Sequence, residues 1–288
     1  MPLAASELIL NSDGSIYHLN LQPEDIADTV ITVGDPDRVS DVSKHFDTIE
    51  LKKGKREFIT HTGFLNGKRI SVIATGIGTD NIDIVLNELD ALVNIDFVTR
   101  TEKDTKTALN FIRIGTSGAI QPDIAVNSFL LSETAIGLDG LMHFYDTSGK
   151  QNSDLASCLS NHLEWESKNI RPYVFNSDQY LSQLLISNHI RFGITVTNAG
   201  FYAPQGRSIR LAPLLGNFHS KLKTFTYQNK QITNLEMETA GLYGLAVLLG
   251  HKAVSMNAIL ANRATGEFSK NPSKTVNDLI QYCLEKIS

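Results

Sequence analysis

Cysteine is nearly absent from this chain: Cys158 and Cys283 are the only two thiols in 288 residues. They stand far apart and lack metal-knuckle spacing, so a disulfide framework and a zinc site drop out, and a reducing compartment is expected. Long hydrophobic runs are also missing. No stretch approaches the roughly 20 apolar residues needed to span a bilayer, and Leu8-Ile9-Leu10 is too short for a secretion signal. A cytoplasmic protein with no membrane partner is expected. Positive charge is not in excess, with 26 Lys and Arg against 31 Asp and Glu, which leaves no electrostatic footprint for nucleic acid. A phosphate-binding P-loop is lacking too. Gly76-Ile77-Gly78 opens like a dinucleotide fingerprint, but Asn81 occupies the place of the third glycine and the motif fails. No Pro/Gly/Ser-rich linker or internal repeat divides the chain, so residues 1–288 read as one domain.

What is present alternates strand and helix patterns. Short β-branched or apolar runs stand at Thr29–Val33, Ile59–Leu65, Arg69–Ala74, Phe111–Ile114, Asn127–Ile136, Ile194–Thr197 and Ala253–Leu260. Asn66-Gly67 between two of them is a hairpin signal. Helical patterns cover Ile82–Val93, Asp154–Ser167, Asp178–His189, the apolar run ending at Gly250, and 272–286. Residues 1–28 read as an extended lead-in with His18 on the surface, and 98–110 as an exposed loop. Trp165 reads as a packing residue. The sum is a single α/β domain.

Four stretches carry chemistry. Glu236-Met237-Glu238 leads into an apolar helix, and its acids either complement the helix dipole or lie buried and need donors. No Lys or Arg stands near them before Lys252, so vicinal hydroxyls of a sugar could serve as those donors. Gly34-Asp35-Pro36-Asp37-Arg38 follows a strand with a capping aspartate and a first-turn proline, an arrangement that offers amide donors to an anion. Arg38 opposes the helix dipole there, which fits a ligand contact as well as a solvated side chain. Arg113 sits inside an apolar strand, followed by Thr116-Ser117-Gly118 read as a small loop. Such a charge requires a partner, either a protein carboxylate or a bound oxyanion, and the adjacent hydroxyls favour the oxyanion. Finally, Phe201, Gln205 and Arg207 could sandwich and edge-bind a planar heterocycle, or form a surface turn.

Taken in order, Gly34-Asp-Pro-Asp-Arg38, Arg56-Glu-Phe58, Thr75-Gly-Ile-Gly78, Arg113-Ile-Gly-Thr-Ser-Gly118, Phe201-Tyr-x-x-Gln205-x-Arg207, Glu236-Met-Glu238 and Asn262-Arg263 resemble the uridine phosphorylases, within the larger class of hexameric nucleoside phosphorylases. The resemblance runs from about Tyr17 to Arg263. It implies a three-layer α/β/α sandwich around a central mixed sheet, and phosphorolysis of a nucleoside to free base and ribose 1-phosphate.

The resemblance also implies a division of labour. Phosphate, a co-substrate, would be held by Gly34, Arg38, Arg113 and Thr116, with Arg56 reaching in from a neighbouring subunit. Met237 and Glu238 would hold the ribose, with the neighbour's His18 at the 5′-hydroxyl. Ser117, Gly118, Phe201, Gln205 and Arg207 would form the base site. Arg113, Arg207 and Glu238 would carry the catalysis, with no cofactor and no catalytic metal. Glu57 is a candidate ligand for an intersubunit monovalent cation, although Thr79-Asp80-Asn81 departs from the family's usual continuation there. Asn262 stands where the purine enzymes of the class carry an acid, which favours uracil nucleosides. A homo-oligomer with shared sites, a trimer of dimers, follows. The alternatives are a purine phosphorylase, a nucleosidase of the same fold, or a non-catalytic nucleoside-binding protein.

Overall fold

A computed structural model describes residues 2–164 and 171–288. The chain begins with β1 (Thr29–Val33), α1 (Pro36–Ser43), β2 (Thr48–Lys55), β3 (Phe58–Leu65), β4 (Lys68–Ala74) and α2 (Thr79–Asn94). A small pair, β5 (Ile95–Asp96) and β6 (Thr101–Glu102), precedes the long strands β7 (Asn110–Ala119) and β8 (Phe129–Gly137). Then come α3 (Ser153–Leu163), β9 (Tyr173–Asn176), α4 (Gln179–Leu184), β10 (Ile190–Thr197), α5 (Phe218–Thr224), β11 (Thr226–Tyr227) and β12 (Lys230–Glu236). The chain closes with α6 (Thr239–Leu249), β13 (Lys252–Asn262), β14 (Glu267–Phe268) and α7 (Pro272–Ile287).

Local rules account for most of these elements. The Asp35 side chain accepts from Asp37 N and Pro36 takes the first helical position, so α1 starts where its sequence says. Asn66 and Gly67 both adopt positive φ, 51° and 77°, as the tight turn between β3 and β4 requires. All five residues of β1 are buried because helices cover both faces of the sheet. Along β1 and β7 successive side chains enter different cores. Val30 and Phe111 pack with α2 and α6, whereas Ile31, Ile112 and Ile114 pack with α1 and α7. The result is the three-layer arrangement, with α3 and α5 over a third cluster formed by Ile136, Val196 and Ile232.

The mixed sheet runs β11-β12-β10-β8-β13-β7-β1-β4-β3-β2. Its far half curls, and β12 returns to pair antiparallel with the end of β7 through Asn234–Ala119 and Leu235–Gly118. Strands β7, β13, β8, β10 and β12 therefore form a closed loop. This closure brings the β12–α6 junction against the middle of β7.

Several sequence expectations need correction. Thr116-Ser117-Gly118 is not a loop: β7 continues through Ala119, because β13 and β12 flank it on both sides. The 98–110 segment contains β6, which pairs back onto β5, and a fully buried Leu109. The lead-in is anchored, with Leu19 and Leu21 fully buried. Strands β2 and β9 carry too little apolar alternation to be read in advance. The helix expected over Asp178–His189 stops at Leu184. Trp165 and the end of the helix expected to Ser167 lie outside the described residues.

Closure of the strand loop depends on Gly193. A Cβ there would run into the Thr233 side chain on β12. Gly193→Ala should destabilise the fold by about 1–3 kcal/mol through overpacking, read as a lower urea midpoint with an unchanged slope.

Candidate active site

A cavity of about 980 Å³ opens where β1, β4 and β13 end, beside the middle of β7 and the β12–α6 junction. Gly34, Arg38, Arg113, Thr116, Ser117, Gly118, Phe201, Gln205, Arg207, Met237 and Glu238 all line it. Segments from Gly34 to Glu238, more than two hundred positions apart, thus converge on one place. Arg56 and His18 do not line it. Arg56 occupies the β2–β3 turn with φ 57°, next to Glu57, which does line the cavity. His18 is tied to α2, its Nδ1 2.6 Å from Glu88 Oε1, with the His18 and Leu19 amides donating to the same carboxylate. It is half-buried, not the exposed residue its local sequence suggests.

The centre is ionic. Arg113 is 5% exposed, and its Nη2 lies 2.5 Å from Glu238 Oε2 and 3.4 Å from Glu236 Oε2. The fold supplies a protein carboxylate partner for Arg113, the option its local sequence disfavoured, and no cation adjacent in sequence had to serve the acids. Burial alone would lower the Arg113 pKa, but Glu238 and Glu236 outweigh it and hold the guanidinium charged. Burial pushes Glu238 above the usual carboxylate range, opposed by Arg113 and reinforced by Glu236.

The two glutamates do different work. Glu236 ends β12, and its Oε2 accepts from Glu238 N, Thr239 N and Thr239 Oγ1, which caps α6. Its other oxygen accepts from Thr197 Oγ1 at 2.5 Å. The dipole-complementing role expected of the acidic start thus belongs to Glu236. Glu238 keeps one oxygen on Gly78 N at 2.9 Å and the other on Arg113. Gly115 makes room for this arrangement, since a Cβ there would collide with the Arg113 guanidinium. Local sequence marks Gly115 only as a spacer; nothing but the folded guanidinium reveals its use.

Arg38 reaches inward from α1, donating to Ile114 O at 3.3 Å. Burial and the neighbouring Arg113 both lower its pKa. Two guanidiniums in one cavity offer donors suited to an anion. The first-turn amide of Asp37 is taken by the Asp35 carboxylate, and that loop faces the cavity with Gly34, Asp35, Pro36 and Arg38.

At the other end, the Arg207 guanidinium lies 3.9 Å from the Phe201 ring centroid, and its Nη1 donates to Phe201 O at 2.7 Å and Gln205 Oε1 at 2.5 Å. That commits the Gln205 carbonyl and leaves its amide nitrogen for a ligand. This stretch is a cavity wall, not a surface turn. Arg263 donates to Gln205 O and Gly206 O and holds the loop from behind. Burial and the adjacent Arg207 bring its pKa to about 10. Asn262 is fully engaged, donating to Gln121 O and Ile124 O and accepting from the Ala264 and Thr265 amides. Among the described residues no group of three or more His, Cys, Asp or Glu side chains could hold a metal.

An α/β sheet with a cavity at the carboxyl ends of its strands is the usual setting of a small-ligand site. The two clustered guanidiniums in it suit an anion. The chain belongs to the Phosphorylase superfamily, whose family model matches residues 28–286. It is 33% identical over 265 residues to a uridine phosphorylase of Thermococcus kodakarensis, covering 91% of this chain and 83% of that one. It is 31% identical over 258 residues to a uridine phosphorylase of Haemophilus influenzae, covering 88% of each. Its fold matches the crystal structure of a Trypanosoma brucei nucleoside phosphorylase with a TM-score of 0.88, at 24% identity over 98% of this chain and 99% of that one.

Replacing Gly115 by alanine should displace the Arg113 guanidinium without disturbing β7 pairing. Binding of inorganic phosphate, followed by titration calorimetry, should weaken about tenfold or more, the worth of one charge-assisted hydrogen bond. Unchanged affinity in a normally folded variant would refute the role given to Gly115.

Proposed function

We propose that this protein cleaves uridine with phosphate, giving uracil and ribose 1-phosphate. One observation carries the reading: Arg38 and Arg113, the Met237–Glu238 pair, and the Phe201–Gln205–Arg207 wall line a single cavity, matching the anion, sugar and base that the reaction brings together. The two similar uridine phosphorylases support the same substrate class.

In this reading phosphate takes Arg38 and Arg113, with Thr116 and the Gly34 backbone beside them. Glu238 then exchanges its bond to Arg113 for the ribose hydroxyls, so neither buried charge is left without a partner. A phosphate oxygen forms a bond to C1′ as the C1′–N bond breaks, and the base leaves with the electron pair. Positive charge develops on the sugar between two anions, the phosphate and the departing base. Arg207 meets the negative charge on the base, and Arg263 supports it from behind. No covalent enzyme intermediate is required, and positioning supplies much of the rate. The paired guanidiniums favour phosphate over water as nucleophile, which argues against a nucleosidase. Asn262 has both polar ends tied to backbone and carries no acid with which to protonate a purine ring, which supports the pyrimidine assignment. Ser117 and Gly118 complete the base site.

His18 and Arg56 complete the site from a second copy in a dimer with shared cavities, and three such dimers make the assembly. No cofactor takes part, and the enzyme works in the cytoplasm.

Uracil release from uridine is measured with and without phosphate, with inosine in parallel. The expected result is phosphate-dependent release with inosine inert, and loss of at least a hundredfold in phosphate use for Arg113→Ala, on the order of one desolvated charge contact. Preference for inosine, or release without phosphate, would overturn the reading. Shared sites are tested by mixing subunits. Arg56→Ala and Glu238→Ala proteins, each inactive, should regain part of the activity in verified mixed oligomers, and no recovery there would refute sharing.

A further inference from the structure

The interior of the closed strand loop is polar. Asn257 of β13, Ser132 of β8, Thr195 of β10 and Asn234 of β12 are fully buried and bond to one another side chain to side chain. At one end is Arg113, whose Nη1 donates to Asn257 Oδ1 at 3.4 Å. At the other is Ser117, which lines the cavity and whose Oγ accepts from Asn234 Nδ2 at 2.9 Å.

The direction of the bonds at Asn257 is forced. A guanidinium only donates, so Asn257 must turn its oxygen to Arg113 and its nitrogen to Ser132 Oγ, 3.0 Å away. Ser132 accepts there, and because Thr195 spends its proton on Asn234 Oδ1, Ser132 is the donor in the 2.6 Å bond to Thr195. Thr195 in turn donates to Asn234 Oδ1 at 2.9 Å, which leaves the Asn234 nitrogen facing Ser117. A second anchor gives the same answer. The Glu236 carboxylate accepts the Thr239 proton at 2.8 Å, so Thr239 Oγ1 accepts from Ser255 at 3.0 Å. Ser255 is then free to accept from Asn257 Nδ2 at 3.3 Å. An obligate donor and an obligate acceptor thus agree on the Asn257 amide. Aligned bonds also polarise one another along the chain. Ser117, having accepted from Asn234, has its own proton left for the cavity.

We propose that this one-way chain leaves the Ser117 proton for the bound base and makes Ser117 a hydrogen-bond donor there, selecting a carbonyl oxygen opposite it. Asn257, Ser132, Thr195 and Asn234 are positioning residues in this scheme, and Ser132 and Thr195 are the links that touch neither Arg113 nor the cavity. The identity of the ligand rests on the phosphorolysis reading above; the direction of the chain does not.

Thr195→Val breaks the chain while keeping the side chain's outline. Thr233 can then donate to Ile194 O, and nothing holds the Asn234 amide in one orientation. Binding of uracil, 2-thiouracil and 4-thiouracil is measured by calorimetry on the wild type, Thr195→Val and Thr195→Ser, with kcat/KM for the matching nucleosides. Sulfur is a weak acceptor, so the wild type should prefer uracil over one of the two thio bases. In Thr195→Val that preference should shrink about tenfold, the worth of a directed hydrogen bond, whereas Thr195→Ser should retain it. A general loss of stability would weaken all three bases alike and leave the preference unmoved. If Thr195→Val does not fold, Ser132→Ala is read in the same way. An equal preference in the broken-chain variant and the wild type, or no preference in the wild type, overturns the proposal. A Thr195-dependent preference without phosphate-dependent uracil release would instead sink the phosphorolysis reading and leave this inference standing.

Discussion

Placing Arg113 inside the sheet sets the terms for the rest of the molecule. Removing a guanidinium from water costs several kcal/mol unless carboxylates meet it with good geometry. The chain meets that demand with Glu236 and Glu238, more than a hundred residues downstream. They reach Arg113 because β12 curls back onto the end of β7, and because Glu236 is fixed by the amides at the start of α6. Gly115 leaves the space and Gly78 N holds the free oxygen of Glu238. A charge in the core and the topology of the far half of the sheet are one constraint seen twice.

The same arrangement organises the cavity's field. The chain as a whole carries a net charge of −5, yet both ends of the cavity are cationic, with Arg38 and Arg113 at one and Arg207 and Arg263 at the other. Carboxylates lie between them. Each guanidinium pair is held close enough that one member lowers the pKa of the other. Clustering of this kind costs stability, and it leaves donors pre-aimed where negative charge is to be placed. That pattern fits the proposed reaction, in which an anion enters, another departs, and a cation-like centre forms between them.

Much of the fold could be read from residue patterns. β1, the tight turn at Asn66-Gly67, the capped start of α1, and the apolar α6 all follow from local rules that tertiary packing did not override. The elements that escaped had weak local signals. β2 is mostly exposed and reads as polar, and β9 is four residues long. Thr116-Ser117-Gly118 has the composition of a turn but is held as strand by neighbours on both sides. The same limit applies at the site. Arg113 was recognisable as a charge in need of a partner, but local residues could not say which partner it had. Gly115, Asn257 and Thr195 gave no local signal, because their roles exist only in contact with side chains from other strands.

The sequence by itself determined the α/β class, most element positions and the inventory of charged and aromatic groups, through the ordered motifs from Gly34 to Arg263. These depend on periodicity, capping and residue chemistry, which are properties of neighbours along the chain. Tertiary structure alone decided that Glu238 faces Arg113, that Glu236 caps a helix, that Asn262 serves the backbone, and that the buried hydroxyl chain ends at Ser117. Those outcomes depend on which strands lie side by side. Strand adjacency is set by the closure of β12 onto β7, a long-range pairing that no local pattern encodes.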